Sequence, residues 1–205
     1  MKNPELLILC DLGGVLIDLN WHSQAEHLFG SGLDPEALKS RWLALESVKI
    51  FEAGQIDFAG FYELFCKETA YHSGVDAFVR DFTGILGPDK PGCVGVLERL
   101  SCAGRLAMLS NTNALHIETL KKSSKVFAPF DDLFFSYELG LVKPDPQIFA
   151  AVCRRTGCPA DRVLFFDDSE TNVAAATRFG MHAWRVDGPD AIEKIVDAWK
   201  FSAVL

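Results

Sequence analysis

Residues 6–14 read LLILCDLGG, and this stretch decides the fold class. Five consecutive apolar residues lead directly into Asp11, and the glycine pair Gly13-Gly14 follows almost at once. A continuous apolar run of this length, bounded by turn residues, is typical of a strand that is buried on both faces. Strands of that kind belong to parallel sheets that are covered by helices on both sides. We therefore predict a buried strand over residues 6–10 and a tight turn after Asp11.

Further short, largely apolar runs recur in the second half of the chain. Residues 105–109 (RLAML) and 163–166 (VLFF) end in polar pairs, and shorter strand candidates lie at residues 133–135 and 182–186. Helical patterns alternate with these strands at residues 93–100, 114–122, 147–156, 171–179 and 191–199. Strands that alternate with helices form a parallel sheet with right-handed crossovers. The sequence therefore predicts an α/β fold with a doubly wound, Rossmann-like and mainly parallel sheet flanked by helices.

A long helical segment separates the first strand from the others. Residues 16–87 show helical periodicity and no convincing strand, and their candidate helices lie at residues 21–29, 35–48, 58–70 and 75–86. We interpret this segment as an inserted helical cap domain. The α/β core domain then comprises residues 1–15 and 88–205, and the cap domain comprises residues 16–87.

The composition excludes several classes of partner. Among 205 residues, 49% are hydrophobic and 23% are charged, and the net charge is -8. A chain with this charge has no basic field that would attract a nucleic-acid backbone or an anionic membrane. Its longest apolar runs are strand-sized, far short of the roughly 20 residues that a membrane span needs. The N-terminus lacks the features of a signal peptide, so we expect a cytoplasmic protein that binds neither nucleic acid nor membranes.

Polar side chains follow the predicted strands at the edge where an open parallel sheet binds its ligands, outside the carboxyl ends of the strands. A loop lysine, Lys143, precedes the helix that Pro146 is expected to start, and this loop can reach the same crevice. Any one of these residues alone could be a helix cap or a turn former. Their joint occurrence indicates a functional site formed by Asp11, Ser110, Asn111, Lys143, Asp167 and Asp168.

The chemistry of this set points to a metal ion and a phosphoryl group. Carboxylates that lie close together raise one another's pKa unless a cation neutralises them. Mg²⁺ prefers oxygen ligands and is commonly held by one or two carboxylates together with phosphate oxygens. Lys143 adds a compact positive charge, and the side chains of residues 110–111 add neutral donors for phosphoryl oxygens. Since Asp11 can attack phosphorus to form an aspartyl-phosphate, we predict a phosphoryl-transfer site with Mg²⁺ as its cofactor.

Four short motifs follow one another along nearly the whole chain. They are Asp11-Leu12-Gly13-Gly14-Val15, Leu109-Ser110-Asn111, the segment from Glu138-Leu139-Gly140 to Lys143-Pro144-Asp145-Pro146, and Phe166-Asp167-Asp168 with Asn172. In order and spacing they resemble the motifs of the haloacid dehalogenase superfamily. The glycine-containing first motif is similar to that of the branch that contains bacterial α-D-glucose-1-phosphate phosphatases and the N-terminal phosphatase domain of soluble epoxide hydrolases.

This resemblance implies a role for each motif residue. Asp11 would be the nucleophile and a metal ligand, and Lys143 would offset negative charge during catalysis. The other metal ligands would be Asp168 and the backbone carbonyl of Gly13. The helical insertion would close over the substrate as a cap. The residues implied to bind the substrate are Gly14, Ser110, Asn111 and Lys143. Asp167 would support the metal through a water molecule, and Asn172 would lie in the same layer behind the metal.

One position departs from the superfamily pattern. Most phosphatases of this superfamily carry a second aspartate two residues after the nucleophile, and this aspartate protonates the leaving oxygen and later activates water. Here that residue is Gly13. General acid-base help worth roughly 100- to 10,000-fold is therefore absent from this position. Either water or a cap residue takes over this role, or the enzyme is slow.

Two features of the cap leave alternatives open. Residues 51–56 (FEAGQI) are either a plain turn between two helices or a loop that faces the substrate, because binding residues often lie on loops. Arg41 either points to a substrate anion or lies on a solvated helix face. The sequence does not choose between these alternatives.

Three functions fit these residues. The first, which we favour, is hydrolysis of phosphate monoesters of small metabolites, for example sugar phosphates, through an aspartyl-phosphate with Mg²⁺. It carries the expectation that loss of Lys143 lowers the rate while hardly changing the melting temperature. The second is dehalogenation of 2-haloacids, against which the pair Asp167-Asp168 argues, because attack on an anionic haloacid gains nothing from added carboxylates. The third is a weakly active or inactive phosphate-binding regulatory protein, in which Gly13 has replaced the acid-base group.

Overall fold

The computed structural model describes residues 3–30, 32 and 34–202. The strands formed by these residues are β1 (Asn3–Cys10), β2 (Ile17–Leu19), β3 (Leu86–Asp89), β4 (Gly104–Ser110), β5 (Asp132–Phe135), β6 (Val163–Asp167) and β7 (His182–Arg185). The helices are α1 (Trp21–Phe29), α2 (Pro35–Ala44), α3 (Glu46–Glu52), α4 (Phe58–Thr69), α5 (Val75–Thr83), α6 (Cys93–Ser101), α7 (Ala114–Lys121), α8 (Ser136–Leu139), α9 (Pro146–Thr156), α10 (Glu170–Phe179) and α11 (Pro189–Ser202). None of the helices in this part of the chain combines the length and apolarity of a membrane span. The expected cytoplasmic location stays a prediction.

Five of the strands form one parallel sheet with the order β5-β4-β1-β6-β7. The chain passes from β1 through β4 to β5 on one side, and it then returns to place β6 and β7 on the other side of β1. The strand order therefore reverses between β1 and β6, which creates a crevice at their carboxyl ends. The predicted doubly wound, mainly parallel sheet is confirmed.

Both faces of β1 are buried, as its continuous apolar run predicts. Leu6, Ile8 and Cys10 belong to a core cluster on one face of the sheet, together with apolar residues of α6, α7 and α11. Leu7 and Leu9 belong to the cluster on the other face, together with apolar residues of α9 and α10. Burial of apolar surface in these two clusters is the main favourable term that holds the sheet between its helices.

The helices α1 to α5 form an insertion between β2 and β3, and these two short strands pair with each other in antiparallel fashion. The expectation that residues 16–87 contain no strand is therefore wrong at both ends of the segment. Strands of three and four residues are too short to show alternation, and β3 includes Gly87 and Pro88. A Cβ atom at Gly87 would lie 2.6 Å from the backbone oxygen of Asp18, so this pairing needs a glycine. The division into two domains at this ribbon stays a prediction.

The insertion has its own apolar core, which is dominated by aromatic rings. Phe61, Phe65, Phe78 and Phe82 are fully buried. Trp42 packs against three of them, with ring centroids 6.5, 6.2 and 5.8 Å from those of Phe61, Phe65 and Phe82. Aromatic pairs at such separations add stability beyond the burial of their surface. This aromatic cluster holds α1 to α5 together.

One helix predicted in the insertion is two helices in the structure. The helix expected over residues 35–48 is interrupted at Leu45, whose extended backbone (φ -65°, ψ 130°) ends α2 and precedes α3. The carboxylate of Glu68 in α4 caps the start of α3, because it accepts hydrogen bonds from the backbone N–H groups of Glu46 and Ser47, each at 3.1 Å. The short helix α8 was not predicted, and α5 ends earlier than expected. Tertiary contacts set these boundaries, and local periodicity does not record them.

Candidate functional site

The site lies at the carboxyl ends of β1 and β6, where the strand order reverses. Asp11 directly follows β1, and its backbone N–H donates a hydrogen bond to the carbonyl oxygen of Phe166 in β6 at 2.8 Å. Asp167 is the last residue of β6, and Ser110 is the last residue of β4. Lys143 comes from the loop between α8 and α9. The structure therefore brings together residues that the sequence places at separate strand ends.

Lys143 links the two central strands through its side chain, and only 4% of the residue is exposed. Its Nζ lies 2.8 Å from Oδ1 of Asp11, 2.7 Å from Oδ2 of Asp167 and 3.0 Å from the carbonyl oxygen of Leu109. These contacts match the three N–H donors of an ammonium group. Burial alone would lower the pKa of Lys143, but the carboxylates of Asp11 and Asp167 outweigh burial and raise this pKa above its ordinary value. Lys143 is therefore a fixed positive charge beneath the crevice.

Asn111 holds the Lys143 loop in place through a reciprocal pair of hydrogen bonds. Its Nδ2 donates to the carbonyl oxygen of Lys143 at 2.9 Å, and the backbone N–H of Lys143 donates to Oδ1 of Asn111 at 2.8 Å. The second N–H of the Asn111 amide remains for another acceptor. Ser110 and Asn111 both line the cavity described below. Their contact with phosphoryl oxygens stays a prediction, and the positioning role of Asn111 was not predicted.

The paired aspartates Asp167 and Asp168 have different surroundings. Asp167 is fully buried, and its Oδ1 accepts from the backbone N–H of Ser169 at 2.8 Å and from Nδ2 of Asn172 at 3.0 Å. Its Oδ2 accepts from Lys143 at 2.7 Å and from the same Nδ2 at 3.1 Å. Asp168, by contrast, lines the cavity. Asp167 therefore orients Lys143 from behind, and Asp168 is the member of the pair that an ion or a substrate can reach.

Three carboxylates lie close together at this site, which favours the binding of a cation. Carboxylate oxygens of Asp11, Asp167 and Asp168 lie within 4.8 Å of one another. Burial raises the pKa of Asp11 to about 7, while the charge of Lys143 opposes this shift and that of Asp167 adds to it. Burial also raises the pKa of Asp168, and the charge of Asp167 adds to that shift. A divalent cation would favour the ionised forms, and carboxylate oxygen is a ligand that suits Mg²⁺.

The two glycines after Asp11 are needed for different reasons. Gly14 has a φ of +75°, and a Cβ atom there would lie 2.8 Å from Oδ2 of Asp168. Its backbone N–H donates to the carbonyl oxygen of Ile17 at 2.9 Å, so the predicted substrate contact of Gly14 cannot use this amide in the structure. Gly13 has no left-handed φ, but a Cβ atom there would lie 3.2 Å from Cδ1 of Leu19. Gly14 therefore makes room for Asp168, and Leu19 fills the space beside Gly13.

A cavity of about 380 Å³ lies between the strand ends and the insertion. Its floor, which the strand ends and the Lys143 loop supply, consists mainly of Asp11, Gly13, Ser110, Asn111, Lys143 and Asp168. Its wall, which the insertion and the adjoining ribbon supply, includes the apolar residues Ile17, Leu19, Trp21, Trp42, Leu43, Ile85 and Leu86. Two charged residues, Lys39 and Glu52, also belong to the wall. The cavity therefore combines a charged floor with a largely apolar wall.

Glu52 is the last residue of α3, and it lines the cavity at the start of the stretch formed by residues 51–56. Its carboxylate is half-buried and has no hydrogen-bond or ion-pair partner among residues 3–30, 32 and 34–202. Burial raises the pKa of Glu52 to about 7, while the charge of Lys143 opposes this shift and that of Asp11 adds to it. Lys39 lies close enough to Asp168 for its charge to oppose the raised pKa of that carboxyl. The sequence assigned no role to Lys39 and left open whether residues 51–56 face the substrate, and the position of Glu52 favours that alternative.

Two other basic side chains of this region occupy positions that the sequence did not decide. His116 in α7 lines the cavity, and its Nε2 lies 3.1 Å from the carbonyl oxygen of Phe82 in α5, on whose ring it stacks at 4.1 Å. Burial lowers the pKa of His116 to about 4, against the opposing effect of this hydrogen bond. Arg41 is exposed and does not line the cavity, and its guanidinium lies over the ring of Phe29 at 5.0 Å. His116 therefore joins the core to the insertion, and Arg41 lies on the solvated helix face.

Comparison with known proteins gives consistent matches over most of the chain. A family model described as haloacid dehalogenase-like hydrolase matches residues 6–180. The GMP/IMP nucleotidase YrfG of Escherichia coli is 26% identical over 196 residues, which cover 90% of this chain and 84% of that protein. (S)-2-haloacid dehalogenase 4A of Burkholderia cepacia is 31% identical over 98 residues, which cover 47% of this chain and only 42% of that protein. Among solved structures, the HAD family enzyme bt-2542 of Bacteroides thetaiotaomicron, in complex with magnesium and inorganic phosphate, matches with a TM-score of 0.75 and 26% identity over 88% of this chain and 93% of that chain.

Proposed function

The chain belongs to the haloacid dehalogenase-like hydrolase family, and from this premise we propose that it hydrolyses phosphate monoesters of small metabolites with the help of Mg²⁺. The observation that carries the proposal is the buried contact of Lys143 with Asp11 and Asp167. This contact places a fixed positive charge beside a carboxylate that faces a cavity. Such an arrangement suits attack by Asp11 on an anionic phosphoryl group.

The donors at the floor of the cavity fit a magnesium ion. Asp168 faces the cavity, and Asp11 keeps one carboxylate oxygen that Lys143 does not engage. The carbonyl oxygen of Gly13 is the third donor that we propose. When bound, Mg²⁺ would neutralise the negative charge that these carboxylates and a phosphoryl group bring together. The bt-2542 enzyme, which binds magnesium and phosphate, supports this proposal by its similarity.

The side chains of the floor have separate tasks in the reaction that we propose. Asp11 attacks phosphorus, and the bond between phosphorus and the leaving oxygen breaks, which leaves an aspartyl-phosphate. Lys143 holds Oδ1 of Asp11 in position and offsets negative charge on the transferred group. Asp167, held by Asn172 and by the backbone of Ser169, keeps Lys143 in place. Water then hydrolyses the aspartyl-phosphate and regenerates Asp11.

The cavity admits a small organic group beyond the phosphate, and its wall does not select a single substrate. Its volume of about 380 Å³ is at the lower end of typical ligand pockets, which extend from roughly 300 Å³ upward. Sugar phosphates remain candidates, and the similarity to a protein named as a GMP/IMP nucleotidase adds purine nucleoside monophosphates. The apolar wall adds aryl phosphates as useful probes.

The experiment that tests this function measures phosphate release from sugar phosphates, purine nucleoside monophosphates and phenyl phosphate. We expect release with Mg²⁺ and none in excess chelator. Asp11→Asn removes the nucleophile and should abolish release while the protein stays folded, whereas Asp76→Asn, an exposed control in α5, should keep full activity. Beryllium fluoride should form its adduct on Asp11.

Four results would contradict the proposal in different ways. Full turnover in excess chelator would show that the reaction needs no metal. A beryllium fluoride adduct on another residue would show that Asp11 is not the nucleophile. Release of halide from a 2-haloacid without added metal would favour the dehalogenase alternative, which the match to the Burkholderia cepacia enzyme keeps under consideration. Tight phosphate binding without turnover would favour a regulatory protein.

A further inference from the structure

The proposed reaction needs a proton donor for the leaving group, and the floor of the cavity does not contain one. Gly13 has no side chain, Asp11 is the proposed nucleophile, and Asp168 is a proposed metal ligand. All three N–H donors of Lys143 already have acceptors, which hold it as a fixed charge. Both oxygens of Asp167 already accept hydrogen bonds, and this residue does not line the cavity. The acid-base group must therefore be water or a residue of the wall.

We propose that Glu52, which the insertion supplies, is the general acid and general base of this site and takes the role that the residue at Gly13 cannot fill. This inference rests on the proposed phosphatase function. Glu52 lines the same cavity as Asp11 and Gly13, and its carboxylate has no partner among the described residues that would occupy it.

The turn that follows Glu52 is anchored to the core, so the position of this carboxylate does not depend on the insertion alone. Gly54 has a φ of +65°, and a Cβ atom there would lie 2.1 Å from the backbone oxygen of Tyr137 in α8. The turn therefore lies directly against the backbone of the core. On the other side, Phe51 stacks on Phe61 of the aromatic cluster, with ring centroids 4.2 Å apart and planes 5° apart. Glu52 is thus held between two fixed contacts.

The other titratable residues that line the cavity outside its floor fit the role less well. Nε2 of His116 is already engaged with the carbonyl oxygen of Phe82. Burial lowers the pKa of His116 to about 4, so the ring is neutral at pH 7 and is a much weaker proton donor than an imidazolium. Lys39 is exposed, and its charge acts on Asp168. Burial raises the pKa of Glu52 to about 7, which allows this carboxyl to donate and accept a proton near neutral pH.

The two proposed steps balance. In the first, Asp11 attacks phosphorus, the electron pair of the breaking phosphorus–oxygen bond goes to the leaving oxygen, and that oxygen takes the proton of Glu52. In the second, the Glu52 carboxylate takes a proton from water as the water oxygen attacks phosphorus. The electron pair of the bond between Asp11 and phosphorus returns to Asp11, inorganic phosphate leaves, and Glu52 is protonated again.

A matched pair of aryl phosphates tests this role. Phenyl phosphate has a leaving group with a pKa of about 10, like that of tyrosine, and needs a proton donor. The more acidic leaving group of 4-nitrophenyl phosphate needs one much less. Glu52→Gln keeps the shape of the side chain but cannot donate or accept this proton. We therefore expect kcat/KM of Glu52→Gln to fall about 100-fold or more for phenyl phosphate, and less than about 10-fold for 4-nitrophenyl phosphate.

A second readout follows the covalent intermediate. Because water attack also lacks its base in Glu52→Gln, 4-nitrophenyl phosphate should give a burst of 4-nitrophenol and a larger steady-state fraction of phosphorylated Asp11. The control is Glu63→Gln, the same change at an exposed position of α4, which should match the unsubstituted protein in both measurements. Thermal unfolding of Glu52→Gln checks that this variant folds. Glu52→Asp keeps a carboxylic acid on a shorter side chain, so it should retain more phenyl phosphate activity than Glu52→Gln.

Several outcomes would overturn the inference. An equal loss of kcat/KM for the two esters would show that Glu52 is a binding or structural residue. If kcat/KM does not fall for either ester, water is the proton donor. If Glu52→Gln does not fold, Glu52→Asp provides the test. Activity equal to that of the unsubstituted protein on both esters, with no burst of 4-nitrophenol, would also contradict the role of Glu52. A failure of the proposed function is distinguishable, because the unsubstituted protein would then release no phosphate from either ester, or Asp11→Asn would stay active.

Discussion

The floor and the wall of the cavity are built in opposite ways. On the floor, Lys143 contacts Asp11 and Asn111, and Asp167 holds it from behind, so the geometry of these groups is set before a substrate arrives. On the wall, Lys39 and Glu52 are charged groups that have no hydrogen-bond or ion-pair partner in the described part of the chain. A preorganised floor suits the chemical step, which gains most from charges that need not move. Unpartnered charges on the wall suit groups that act on the substrate itself.

The two regions also differ in what holds them together. The floor combines buried ion pairs with the two apolar clusters of the sheet, whereas the wall rests on the aromatic cluster of the insertion. Removing one partner of a buried ion pair leaves an uncompensated charge and costs several kcal/mol. Removing a partially exposed charge of the wall costs little stability. Substitutions on the floor should therefore lower both stability and activity. Substitutions of charged wall residues should change activity with little effect on stability.

The largest expected effect is that of Lys143→Met on the floor. Because Lys143 is buried, its loss leaves Asp11 and Asp167 without their counter-charge, and we expect a loss of about 3 to 5 kcal/mol in the free energy of unfolding. Because Lys143 is buried, we now expect a lower melting temperature instead of a nearly unchanged one. We also expect kcat to fall about 100- to 1,000-fold. Chemical denaturation and phosphate release measure the two effects.

Lys67→Met is a matched control for this prediction, because Lys67 is an exposed lysine of α4. It should change neither the free energy of unfolding nor kcat by a measurable amount. If Lys143→Met is as stable as the unsubstituted protein, the charges of the two carboxylates are neutralised in another way. Buried charge would then not explain the difference between floor and wall.

The next effect concerns His116, which joins the core to the insertion through its contact with Phe82. Its folded-state pKa of about 4 lies below the ordinary value of 6.5, so the unfolded chain binds a proton that the folded protein excludes. The neutral ring therefore contributes full stability above about pH 6.5, and this contribution is lost as the pH falls toward 4. Between pH 7.5 and pH 5 the loss should be about 2 kcal/mol.

The measurement compares the unsubstituted protein with His116→Gln by urea unfolding at these two pH values. The difference between the two proteins isolates His116 from other groups that titrate in this range, and His116→Gln should lack about 2 kcal/mol of the pH dependence. His72→Gln, at an exposed histidine of the insertion, should keep all of it. An unaltered pH dependence in His116→Gln would mean that the contact between α7 and α5 opens enough to hydrate this ring.

The sequence predicted the floor well because its information is local. Apart from Lys143, whose loop precedes α9, the floor residues lie at the end of strands that are recognisable from their own apolar runs, as Asp11 follows β1 and Ser110 ends β4. The rule that parallel strands present their carboxyl ends at one edge then brings these residues together. The motif resemblance supplied roles for individual residues, but it did not show that Asn111 binds the backbone of Lys143 or that the amide of Gly14 is engaged by Ile17.

The wall was hard to predict because its decisive contacts join residues far apart in the chain. His116 meets Phe82 across 34 residues, and Gly54 meets the backbone of Tyr137 in the core. Helical periodicity shows which face of a helix is apolar, but it does not show which charged residue lies over a cavity. Arg41 and Lys39 are two residues apart on α2, and only Lys39 lines the cavity.

The smallest effect that we predict tests how the wall positions Glu52. The carboxylate of Glu68 accepts hydrogen bonds from Glu46 and Ser47 at the start of α3, and Glu52 is the last residue of that helix. Glu68→Ala removes this cap and should cost about 1 kcal/mol in the free energy of unfolding. Because the start of α3 loosens, phenyl phosphate turnover should also fall, by less than about 10-fold, with 4-nitrophenyl phosphate less affected.

Glu63→Ala, on an exposed face of the same helix α4, should change neither quantity. A loss of stability with both esters hydrolysed at the original rates would show that the contacts of Gly54 and Phe51, and not the cap at the other end of α3, hold Glu52 in position.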